Sequence, residues 1–194
     1  MYLDGKPTSK MIKRFAIYVQ LLTAIFLIQS VCGQDKIGLF DGSTDIGACK
    51  IQGFANYHAA DQTYRLGGSG TNMWFGTDEF HYLWTSLQGD FILRAEVAFN
   101  GAGVDPHRKV GWIVKNNLDP NSRHVNATIH GDGLTSLQFR REVGAPTEEI
   151  ISTDKAPDVI QLERRGQTYI MSTAQFGNPF TSVQLDSVTL DNEV

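Results

Sequence analysis

Three of the five histidines in this chain of 194 residues fall between Val104 and Arg141, among Arg, Asn, Gln and Asp side chains. Groups of this kind can act as acid and base, ligate a metal or hydrogen-bond a polar ligand. Hydrolysis of a glycosidic bond needs two facing carboxylates, which on a strand means alternate positions such as Glu-x-Asp-x-Glu. No such set is complete here. Asp78-Glu79 and Glu148-Glu149 are adjacent pairs whose members point to opposite faces if extended, and Asp191 with Glu193 lacks a third partner. Glu96 shares a strand face with Arg94, an arrangement suited to a salt bridge or a ligand clamp. A hydrolase acting on a sugar derivative would have to draw its acid and base from Glu96, Glu142, Asp132 and His130.

Metal binding at the histidines would want ligands at i, i+2 on one strand or a tight cluster with carboxylates. Asp105 with His107 and His130 with Asp132 have that spacing, but Pro106 and Gly131 place both pairs in turns. His81 lies beside Phe80 and Tyr82, while His58 and His124 occupy polar, loop-like stretches. Hydrogen bonding is the simpler role for each, and no cofactor is expected. Calcium could draw on Asp119, Asn121 and Asp132, yet Asp-Pro-Asn and Gly-Asp-Gly are also ordinary turn sequences.

A polar strand face is the stronger candidate. With Val125, Ala127 and Ile129 turned to a core, Asn126, Thr128 and His130 point outward together. With Leu137 and Phe139 inward, Ser136, Gln138 and Arg140 join them across the Gly131-Asp132-Gly133 turn. Lys115 and the Arg94/Glu96 pair would extend this surface, and Trp74, Tyr82 or Trp84 would offer a ring for a sugar to stack on. The expected ligand-binding set is therefore Arg94, Glu96, Asn126, Thr128, His130, Asp132, Gln138 and Arg140, with a carbohydrate as the ligand. A face that is merely solvated favours Lys, Glu and Thr, and amides, His and Arg gathered at one turn are less routine. Asn126-Ala127-Thr128 also matches a glycosylation sequon.

Strands must position these groups. Phe91, Leu93, Ala95, Val97 and Phe99 alternate with Ile92, Arg94, Glu96 and Ala98, the period of a half-buried strand. The same alternation runs through Val110–Lys115, Val125–His130 and Ser136–Arg140, with Trp112 on the core side. Ile160 to Glu163 leads through Arg164-Arg165-Gly166-Gln167 into Thr168–Thr173, a hairpin. Turn signals separate the runs, among them Asp41-Gly42, Gly67-Gly68-Ser69-Gly70 and Gly177-Asn178-Pro179. The single helical candidate is Asp78 to Leu87. Many short strands at regular spacing predict an all-β, antiparallel sandwich of jelly-roll type. Asp186 to Val194 reads as the opening of another alternating run, so the sandwich is expected to stop before its last strand.

Residues 1–33 read as a secretory signal peptide. Lys10, Lys13 and Arg14 precede an apolar run from Phe15 to Ile28, and small residues flank a cut after Gly33. Gln20, Thr23, Gln29 and Ser30 interrupt the roughly 20 apolar residues that a spanning anchor needs. Val31 stands where a lipid-attachment site usually has Gly, Ala or Ser. The expectation is an exported protein, periplasmic or extracellular, with an N-terminal anchor as the less favoured arrangement. Residues 34–194, about 160, suffice for one sandwich domain with a substantial core. Cys49 is the one cysteine in that span, which excludes an internal disulfide there. A formal net charge of -4, with no Lys/Arg cluster able to track phosphates, argues against a nucleic-acid partner.

Several motifs together resemble a known module. They are Gly38-Leu39-Phe40-Asp41-Gly42-Ser43-Thr44-Asp45-Ile46-Gly47, Gly68-Ser69-Gly70-Thr71-Asn72-Met73-Trp74-Phe75, Gly89-Asp90-Phe91, Asp105-Pro106-His107-Arg108-Lys109-Val110-Gly111-Trp112, and His130-Gly131-Asp132-Gly133-Leu134-Thr135-Ser136-Leu137-Gln138-Phe139-Arg140. The combination looks like a module of secreted Bacteroidetes-type proteins labelled TolB-like or "biopolymer transporter TolR". That resemblance implies a concanavalin A-like lectin/glucanase sandwich, similar to laminin G and 3-keto-disaccharide hydrolase-type domains. It also implies an adjoining TolB-like β-propeller as partner, so that docking a propeller is a further possible role.

Overall fold

The computed structural model describes residues 36–194; the expected signal segment, its possible helix and its cleavage point lie outside them. The described residues form twelve strands and no helix. In chain order these are β1 (Gly42–Ile46), β2 (Phe54–His58), β3 (Thr63–Gly67), β4 (Phe80–Trp84), β5 (Phe91–Glu96) and β6 (Lys109–Lys115). There follow β7 (His124–His130), β8 (Thr135–Arg140), β9 (Glu148–Ile151), β10 (Val159–Arg165), β11 (Thr168–Ala174) and β12 (Thr181–Leu185). Every pairing is antiparallel.

Two four-stranded sheets, in the orders β6-β7-β8-β9 and β12-β11-β10-β5, make the body, with β1-β4 and β2-β3 as separate two-stranded ribbons. The alternation read from the sequence decides which face of each sheet is buried. Val114, Val125, Ala127, Ile129, Leu137 and Phe139 turn inward from one sheet. They meet Ile160, Leu162, Tyr169, Met171 and Leu185 from the other, and Phe91 and Leu93 pack against the same core. Trp112 joins the core margin, its ring stacked on Phe40 at 6.4 Å between centroids. The β10–β11 hairpin turns through Gly166 at φ +59°, a left-handed conformation open to glycine without steric cost.

The expected helix from Asp78 to Leu87 is a strand instead. Phe80, His81, Tyr82, Leu83 and Trp84 pair residue for residue with β1, Trp84 opposite Gly42 and Phe80 opposite Ile46. Aromatic residues suit a pleated, half-buried strand once a partner strand is present, and β1 supplies it from almost forty positions upstream. At the other end, Val188 and Leu190 are fully buried in the core, and Gln88 and Glu193 form a single antiparallel bridge. Among the described residues no helix is long and apolar enough to cross a membrane.

Candidate functional site

The register of β6–β9 sets four rows of polar side chains on the face turned away from the core. Lys115, His124 and Arg140 share one row, Ile113, Asn126, Gln138 and Glu149 the next, Gly111, Thr128 and Ser136 the third, and Lys109 with His130 the last. This is the face on which Asn126, Thr128, His130, Gln138 and Arg140 were expected. They do share it, but they do not lie open. All five are buried, none more than 4% exposed. The segment Asn72–Asp78 crosses above them: Asn126 Nδ2 reaches Met73 Sδ at 4.0 Å, and Thr147 N donates to Trp74 O at 2.9 Å. Period-2 alternation tells which residues share a face, and it is silent on whether a loop covers that face. The sequon at Asn126 is buried with it.

One end of the face is an ion cluster. The carboxylate of Asp78 receives Lys115 Nζ at 2.6 Å and the Arg140 guanidinium on both oxygens, at 2.6 and 3.0 Å. His124 Nδ1 stands 3.5 Å away, and neither of its ring nitrogens makes a hydrogen bond among the described residues. Burial works to raise the Asp78 pKa, but His124, Arg140 and Lys115 hold the carboxyl well below the usual range. Burial also lowers the His124 pKa, favouring its neutral ring, so the charge that keeps Asp78 ionised comes mainly from Arg140 and Lys115. Arg140 further donates to the carbonyls of Phe75, Pro120, Ser122 and Ala145. With all its donors engaged and its surface fully buried, Arg140 ties loops together and is not a ligand contact. Lys115, 3% exposed, is withdrawn from ligand binding in the same way.

The other end is built from weaker contacts. His130 lies opposite Leu134 and Gln138 opposite Asn126, yet their Nε2 atoms approach to 3.3 Å. Both side chains therefore lean along the sheet across Thr128 and Ser136, and this accounts for the burial of those two hydroxyls. Ser136 Oγ finds no hydrogen-bond partner among the described residues. The Gln138 amide donates to His130 and to Glu149 Oε2, at 3.3 Å each. An accepting Nε2 puts the His130 proton on Nδ1, which faces His107 Nδ1 at 3.4 Å. Burial, then the charge of Lys109, pushes the His130 pKa down to about 4, so the ring is neutral near pH 7. Lys109 itself bonds the His107 carbonyl at 3.2 Å and approaches Asn72 Oδ1 at 3.5 Å. Glu149–Gln138–His130–His107 is thus one continuous polar row, entered from the exposed His107 and from half-buried Glu149.

The remaining expected residues lie elsewhere. Arg94 and Glu96 occupy β5, on the outer face of the opposite sheet, and cannot extend this surface. No ion pair joins them among the described residues; Arg94 donates to Gln161 Oε1 at 2.7 and 2.9 Å and lies over the Phe180 ring. Asp132 is exposed beside the His130 end and accepts Leu134 N within its turn. Asp119 and Asn121 sit in the β6–β7 connection and Asp132 in the β7–β8 turn, at opposite ends of β7, so the proposed calcium trio does not assemble. Glu142 lies in the β8–β9 loop and Glu96 on the far sheet, which leaves Asp132 and His130 as the only neighbours among the four groups considered for hydrolysis. Tyr82 Oη donates to Ile113 O at 3.0 Å, and burial raises its pKa to about 12; the half-buried residue anchors β4. Trp84 hides its indole nitrogen. Trp74 stays 37% exposed on the covering segment. His124, placed by its sequence in a polar loop, opens β7 and is fully buried, while His58 is exposed beside Asp61 and His81 pairs with Asp45.

Three participants are not legible as such in the sequence. Asp78 reads as the start of a helix or half of the Asp78-Glu79 pair, Glu149 as half of Glu148-Glu149, and His107 as a partner of Asp105, because His130 lies 23 positions away. Pairing β6 with β7 as a hairpin would have found the last, since it sets Lys109 against His130 with His107 one face-repeat beyond. No family model, no curated protein and no solved structure matches this chain.

Proposed function

We propose that the domain is an exported glycan-binding module, a concanavalin A-like jelly roll that serves as an accessory to a larger TolB-like protein. Its ligand lies against the His107 end of the β6–β9 outer face. The observation that carries this reading is the row Glu149–Gln138–His130–His107. It presents carboxylate, amide and imidazole groups at contacts of 3.3–3.4 Å, long enough to be exchanged for better ones. Sugar hydroxyls donate and accept, so each group can trade its neighbour for a hydroxyl without being left unpaired. Lys109 and Asp132 flank the row, and Trp74, 37% exposed on the segment that covers this face, offers an apolar ring. Asn126 lies beneath the covering segment, Arg140 secures the opposite end, and Arg94 and Glu96 take no part.

Affinity electrophoresis against a polysaccharide panel tests this. Retardation by at least one glycan is expected, with Gln138→Ala weakening it about tenfold and Arg94→Ala leaving it unchanged. Failure to bind any glycan, or binding indifferent to both Gln138→Ala and Trp74→Ala, overturns the proposal. If the protein then associates with its own propeller, docking replaces glycan binding as the reading; sugar release from the panel would instead favour the hydrolase.

A further inference from the structure

We propose that His107 and His130 form a site for a borderline divalent transition-metal ion, Zn2+, Ni2+ or Cu2+, held through the two Nδ1 atoms. The other positions fall to water or to a ligand oxygen. The inference rests on geometry and is independent of whether the groove takes a glycan.

The two Nδ1 atoms stand 3.4 Å apart. Two imidazole nitrogens at about 2.0–2.1 Å from one tetrahedral ion are separated by about 3.3–3.4 Å, so the rings already have the spacing of a chelating pair. Their planes stand at 86° with centroids 5.6 Å apart, so each Nδ1 points toward the other, and both rings must turn for their lone pairs to meet on one ion. Imidazole is a preferred donor for these three metals. His130 is fixed in the sheet and nearly buried, while His107 is exposed, so an ion enters from the His107 side. No group of three or more His, Cys, Asp or Glu is placed to hold a metal among the described residues, so the chain would offer the ion these two nitrogens and leave its other positions to water. Open positions distinguish ligand-binding metal sites from closed structural ones.

Entry of the ion displaces the proton now shared between the two Nδ1 atoms. On the ring that carries it, that proton moves to Nε2 through solvent, with no net change in charge. When the ring is His130, its Nε2 then donates, and Gln138 must turn its carbonyl oxygen toward it, the supporting contact usual for a metal-bound histidine. The charged neighbours act in opposite senses. Lys109 repels a cation, whereas Asp132, in the turn following His130, attracts one.

Isothermal titration of the tag-free protein with ZnCl2 and NiCl2, with imidazole proton shifts followed by NMR, decides the matter. Expected are one ion per chain, shifts confined to the His107 and His130 rings, and a loss of affinity of at least about tenfold in His107→Ala. Lys109→Gln should tighten binding, Asp132→Asn should weaken it, and His58→Ala should leave it alone. His107 is exposed, so its removal does not threaten the fold. Absence of binding, binding that survives His107→Ala, or tightening absent in Lys109→Gln overturns the site.

Discussion

At one end of the β6–β9 outer face a guanidinium, an ammonium and a carboxylate close on one another at 2.6–3.0 Å. At the other, two imidazoles, an amide and a carboxylate touch at 3.3–3.4 Å. The first set is buried throughout, whereas the second opens to solvent at His107 and, in part, at Glu149. Charge separates them further. Breaking a buried ion pair leaves an ion without water or partner, which costs several kcal/mol, whereas an uncharged amide–imidazole contact is exchanged at little loss. The first end holds the fold, and the second is the one whose contacts can be exchanged at small cost.

Arg140→Ala should expose that difference most strongly. It strands the Asp78 carboxylate and four loop carbonyls, and denaturant unfolding should report a loss of about 3–5 kcal/mol. A loss under about 1 kcal/mol would erase the distinction between the ends.

The His130 end should show itself through pH. Its folded pKa, about 4, lies below the roughly 6.5 of an unfolded histidine. The unfolded chain therefore binds more protons between those values. The associated stability is complete above about pH 6.5 and falls away as pH drops toward 4, by up to about 3 kcal/mol. His130→Asn should flatten stability over that window, measured as urea midpoints against pH. An unchanged slope would show that the ring titrates normally.

For Asp78 the sign is set by a lowered carboxyl. Its contribution is present above about pH 4 and is lost as pH falls through the folded value. Acid unfolding should thus have two components, one removed by His130→Asn and one retained. At the lower end of the scale, Arg94→Ala on the far sheet should change stability by no more than about 0.5 kcal/mol, and a larger effect would give that face a role of its own.

The sequence carried the sheets further than the site. Alternation in Phe91–Phe99, Val110–Lys115, Val125–His130 and Ser136–Arg140 falls on β5 to β8, overrunning β5 and starting one residue late in the other three, and it separates Val125 from Asn126 and Leu137 from Gln138 as the fold does. That much is local, because neighbouring residues alone fix the period. The covering segment is a tertiary fact: nothing between Asn72 and Asp78 announces that it will cross a sheet more than thirty positions later. Arg140 looked like a ligand contact for the reason that makes it a structural one, its many donors, and only the position of Asp78 separates the roles. Asp78–Leu87 reads as helical from its local sequence because β1, the partner of β4, lies far upstream.

One arginine also sets how the molecule opens. Arg140 grips carbonyls of the 72–78, 116–123 and 141–147 connections, which are stitched to each other by Asp78 N to Pro120 O, Gly144 N to Asn121 O and Thr147 N to Trp74 O. Gly76 and Gly144 fit so closely that a methyl group at Gly76 would lie 2.5 Å from the Gly144 carbonyl. Three surface loops that would ordinarily fray independently are thereby coupled into one cooperative unit. Their amide protons should exchange with solvent together and as slowly as those of the core strands, although the backbone is irregular and near the surface.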